Sequence, residues 1–173
     1  MRIIVFSIII FINIIFQSTF ITSISIFSIL PNPSLVLIVV YTILRKKKEG
    51  IFIAFFAGML QDIIIGLHIG PYAILYMGIA YLVGETFKDY YLKNLFPALI
   101  NTFIFTLLYL FIVYIFNFFL RGTVEFGYFL FNIMLPESLY NVIYASIIYY
   151  PLYFINKKIE EHENPRRIVF KNN

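Results

Sequence analysis

Cysteine is absent from all 173 residues, which excludes disulfides, cysteine-ligated zinc, iron–sulfur clusters and a thiol nucleophile. Tryptophan is absent too, so any interfacial aromatic belt must come from the 14 Tyr and 21 Phe. The two His form no H-E-x-x-H motif, and neither a Gly-rich phosphate loop nor a G-x-S-x-G elbow occurs. No Ser or Thr has a plausible His base, and no carboxylates pair at catalytic spacing. The chain therefore reads as non-enzymatic, with no metal site and no cofactor. Charge is scarce as well. Charged residues make up 13% of the chain and hydrophobic residues 61%, against about 25% and about 45–50% in a soluble domain. Such a composition belongs in a bilayer, in contact with membrane lipid.

Six apolar runs separate along the chain: residues 3–16 (extending to 21), 34–44, 51–65, 71–83, 95–120 and 138–155. The run 34–44 makes roughly 16 Å of helix, too short for a core of about 30 Å. It is expected to begin earlier, near 24–30, with Pro31 and Pro33 kinking the entry. A further apolar stretch, 126–135, reads as an interfacial or re-entrant segment. The expected fold is an all-α integral membrane protein, one six-transmembrane-helix bundle over residues 1–155 with a short charged tail over 156–173. With the N-terminus cytoplasmic, every Lys and Arg of the 13 except Arg121 falls on the cytoplasmic side. Both termini are thus expected in the cytoplasm, and the formal net charge of +4 implies no nucleic-acid partner.

Small residues carry the sharpest pattern. Gly50, Ala54, Gly58, Asp62 and Gly66 recur every four residues, one slowly drifting stripe on a helix. Gly70, Ala73, Met77, Ala80 and Gly84 form a second stripe in the next run. Stripes of this kind let helix backbones approach closely in a membrane, so an antiparallel hairpin is expected, with Ala54 and Gly58 against Ala73 and Ala80. An acid at bilayer depth costs about 2.5–3.5 kcal/mol on insertion scales, so Asp62 should face protein or water. Its role stays open between a proton, ion or partner site and an internal hydrogen-bonding group near the outer helix end. Glu85 and Glu137 read as capping or interfacial groups. Asn13 with Gln17, Thr102 with Thr106, and Asn141 read as polar glue between helices.

The chain resembles the rod shape-determining membrane protein MreD family. The likeness rests on P-N-P-S-L at 31–35, the basic run 45–48, A-F-F-A-G-M-L-Q-D-I-I-I-G-L-H-I-G-P-Y-A at 54–73, G-I-A-Y-L-V-G at 78–84, and L-P-E-S-L-Y-N at 135–141 with Pro151. The resemblance implies a non-enzymatic subunit of the bacterial cell-elongation machinery in the cytoplasmic membrane. It further implies a fold similar to the six-helix substrate-binding subunits of energy-coupling-factor transporters. The implied partners are MreC and, through it, the actin-like MreB, the glycosyltransferase RodA and its partner transpeptidase. Asp62 and its neighbouring glycines are the matching signature and carry no assigned role.

Three functions compete. A scaffold would receive a partner's membrane helix on the small-residue face. A vitamin-transporter subunit would dock its coupling subunit through an Ala-rich A-x-x-x-A face on the first helix, but that helix holds no Ala. A proton-coupled carrier built on Asp62 would need a second buried ionisable residue. The scaffold is the expectation.

Overall fold

Asn32 and Pro33 start the helix around which the others gather. The Asn32 side-chain oxygen accepts from the Leu35 amide at 3.0 Å, and Pro33 takes the first helical position, where no N–H is needed. The structure is a computed structural model and describes residues 2–19, 31–45, 47–64, 69–86, 95–118 and 124–163. These form α1 (Arg2–Thr19), α2 (Pro33–Leu44), α3 (Lys47–Ile64), α4 (Pro71–Thr86), α5 (Leu95–Asn117), the short α6 (Phe126–Phe129), a π-helical turn (Leu130–Met134) and α7 (Leu135–Glu163). No strand occurs among the described residues.

Every residue of α2 is buried. Its sequence is apolar nearly all round, which is what a helix enclosed by other helices requires. α1, α3, α4, α5 and α7 all pack on it. A run of twelve residues suffices for such a helix, because it forms the axis of the bundle. The expected start near 24–30 lies outside the described residues.

The peripheral helices turn apolar stripes outward. Leu139, Ile143, Ile147, Tyr150 and Phe154 form the exposed face of α7, and Phe96, Ile100, Ile104 and Phe111 do the same on α5. Among the described residues, α5 is the helix long and apolar enough to cross a membrane by length and composition.

The stretch 126–135 departs from the expectation of a separate interfacial or re-entrant segment. It is helical and runs on into α7 through the π turn. Pro136 supplies the reason. It lacks an N–H, and its ring would collide with the carbonyl four residues back, so the turn before it widens. α7 also continues past residue 155 to Glu163. Asn156 is buried, with its amide 3.5 Å from the last carbonyl of α2, that of Leu44.

Candidate functional site

Helices α3 and α4 are packed backbone to backbone. A Cβ added at Gly58 would lie 2.3 Å from the Ala73 Cα and 2.5 Å from its N. One at Gly84 would lie 2.6 Å from the Lys47 Cβ. Lys47 precedes Gly58 by the same stretch of helix that separates Ala73 from Gly84, so a single antiparallel register runs along the hairpin. Ala54, Ala73 and Ala80 are buried in the same seam. At Gly50, however, the added Cβ would meet the Thr42 side chain of α2 at 2.4 Å. A four-residue stripe drifts by about 40° per step, so its start faces α2 and its end faces α4. The small-residue face expected to receive a partner's helix is therefore filled by the protein's own helices.

Asp62, only 2% exposed, closes one end of this hairpin. Its Oδ2 accepts from the Gly70 amide at 2.9 Å and the Ala73 amide at 3.2 Å, and its Oδ1 from the Tyr72 amide at 3.0 Å. These donors belong to the first turn of α4 and the residue before it, where helix N–H groups lack intrahelical partners. Asp62 thus acts as an N-cap delivered from the preceding helix, with its carboxylate at the positive end of the α4 dipole. Gly70 has φ +118°, a backbone conformation open to glycine at little cost, and it aims the amide at Asp62. Of the two readings open for this acid, the geometry favours the internal hydrogen-bonding one. Gly66 and His68 lie outside the described residues.

At the hairpin's other end Lys47 pairs with Glu85 and sits 3.5 Å from the centre of the Tyr81 ring. The hydrogen bond to the Glu85 carboxylate raises the pKa of the Lys47 ammonium. Both side chains are substantially exposed, so the pair contributes little to stability.

A second polar cluster lies at the start of α2. The Asn141 Oδ1 of α7 accepts from the Asn32 amide at 2.8 Å, and its Nδ2 donates to Thr106 Oγ1 of α5 at 3.3 Å. The Tyr76 hydroxyl of α4 lies 3.0 Å from the amide oxygens of both Asn32 and Gln61. One hydroxyl proton serves one acceptor. Since the Asn32 oxygen is already fixed by Leu35, the Gln61 amide satisfies the other contact by turning its NH₂ inward. Ser34 donates to Gln17 of α1 at 2.9 Å, and Asn13 of α1 donates to the Tyr144 hydroxyl of α7 at 2.9 Å. Side chains from α1, α3, α4, α5 and α7 thus meet at or beside the α2 entry.

The sequence singles out Asn13, Gln17, Thr102, Thr106 and Asn141 as glue between helices; of the five, Thr102 instead donates within its own helix, to the Ala98 carbonyl at 2.8 Å. It does not single out Asn32, Gln61 or Tyr76. The visible signals are an amide held between two prolines and another next to Asp62. Asn141→Ala should cost about 1–3 kcal/mol, because it strands the Asn32 amide in the interior. Thr106→Val should cost less, since it removes one contact of a group that keeps another. Thermal unfolding in mild detergent should rank the two in that order.

This arrangement positions helices, and among the described residues no group of three or more His, Asp or Glu side chains is placed to hold a metal ion. No curated protein and no solved structure matches the chain. A family model described as rod shape-determining protein MreD matches residues 1–159. With nearly the whole sequence matched, the chain belongs to the MreD family of rod shape-determining proteins.

Proposed function

We propose that this protein is a multi-pass subunit of the bacterial rod-shape machinery, embedded in the cytoplasmic membrane with both termini inside, and that it works as a scaffold. Family membership carries the reading. Two features support it. The bundle buries polar side chains and turns large apolar ones outward, an arrangement that suits a lipid surround and would aggregate in water. The positive-inside distribution of Lys and Arg agrees with it. On this reading six helices cross or enter the bilayer, in an architecture like that of the energy-coupling-factor substrate subunits.

The partners would be MreC, and through it MreB, RodA and its transpeptidase, which hold the chemistry of wall synthesis. Because Gly50, Ala54 and Gly58 are consumed internally, partner helices would contact the outward faces of α1, α5 and α7. Depletion in a rod-shaped host should produce round, widening cells, and the wild-type chain should restore rods. Rods that persist after depletion would overturn the proposal.

A further inference from the structure

An open groove of about 410 Å³ runs between the outward sides of α3 and α4, lined by Lys48, Ile51, Phe52, Phe55 and Met77. We propose that it holds an acyl chain of an anionic phospholipid whose phosphate rests on Lys48. The inference goes beyond the scaffold reading but rests on its membrane placement. Three observations identify the occupant. Lys48 is exposed at the start of α3 and makes no ion pair among the described residues, whereas its neighbour Lys47 is held by Glu85. The adjacent Glu49 carboxylate is directed at α2, where it accepts from the Tyr41 hydroxyl at 3.3 Å, and successive residues on a helix do not face each other, so the two form no ion pair. The remaining lining is apolar and begins within one helical turn of that cation, which is the layout of a phosphate joined to a hydrocarbon tail. The N-terminal end of α3 adds the positive end of a helix dipole, again favouring an anion.

A partner helix fits the groove less well. Helices associate in membranes through small residues; Ala54, Gly58, Ala73 and Ala80 are used up in the α3–α4 seam, and the outward Gly78 is not part of the groove's lining. Ile, Phe and Met line the groove instead, large and adaptable groups that suit a flexible chain.

The test uses the full chain in nanodiscs of phosphatidylglycerol and phosphatidylcholine, with p-benzoyl-phenylalanine replacing Phe55 and adducts identified by mass. Phosphatidylglycerol should be enriched about fivefold over its mole fraction, as one juxtamembrane cation provides. Lys48→Gln should bring phosphatidylglycerol back to about its mole fraction, and Lys48→Glu should bring it to or below that fraction. The same probe at Ile147, exposed on α7, should give adducts in proportion to the mixture. No enrichment at position 55, or enrichment that survives Lys48→Glu, would overturn the site. A protein adduct in place of lipid at position 55 in native membranes would do the same and assign the groove to a partner. No lipid adduct even at position 147 would instead refute the membrane placement, and the groove with it.

Discussion

Asp62→Ala should lower stability by about 3–5 kcal/mol, the largest effect expected of any single polar substitution in this chain. Three amides at the start of α4, those of Gly70, Tyr72 and Ala73, would lose their acceptor together. Leaving a buried donor unsatisfied costs about 1–3 kcal/mol, and loss of a favourable charge at a helix N-terminus adds about 0.3–1 kcal/mol. The full sum is not reached because α4 can shift and admit water. Asp62→Asn separates acceptor from charge. Its single oxygen can keep the Gly70 and Ala73 amides, but its NH₂ then faces the Tyr72 amide, so an intermediate loss is expected. With about 2–4 °C per kcal/mol for a chain of this size, the alanine variant should melt about 10 °C lower in detergent. Equal stability of Asp62→Ala and wild type would show that the cap is not formed.

Gly58→Ala should be comparably damaging although it adds one methyl group. The new Cβ meets backbone atoms of Ala73 and Tyr72, which cannot rotate away as a side-chain tip would. Relief requires the two helices to part, which opens the seam around Ala54 and Ala80. Overpacking costs about 1–3 kcal/mol, and the loss here should fall at or above the top of that range. Gly58→Leu should prevent folding. Gly78 provides the control, since nothing lies within 4 Å of a Cβ built there. Gly78→Ala should leave stability unchanged or raise it by up to about 1 kcal/mol through helix propensity. Matched effects at Gly58 and Gly78, read from the folded yield and melting temperature, would refute the close crossing.

The helices were largely legible because long apolar runs separated by charge have few alternatives. The α3–α4 seam was legible too, since Gly58 and Ala73 announce themselves by spacing alone. What the whole stripe would touch was not. Periodicity locates a face, but not the helix that covers it, and Gly50 meets α2 instead of α4. The role of Asp62 depends on a reversal of the chain between residues 64 and 71 that points the first amides of α4 back at it. Asn32 and Asn141 are 109 residues apart, and no local pattern connects them. The continuity of 126–134 with the last helix was hidden because Pro136 reads locally as a helix breaker, whereas one widened turn accommodates it.

The enclosure of α2 also constrains how the protein is made. Its packing partners include α7, the last of these helices to leave the ribosome. Until α7 arrives, the Asn32 amide has no Asn141 to meet, and one side of a short, largely apolar helix lacks its protein neighbour. A nascent chain therefore lacks this contact until that helix is made, and a chain truncated before it should be less stable than the full one. The contact joins α7 to the entry of a helix made 109 residues earlier.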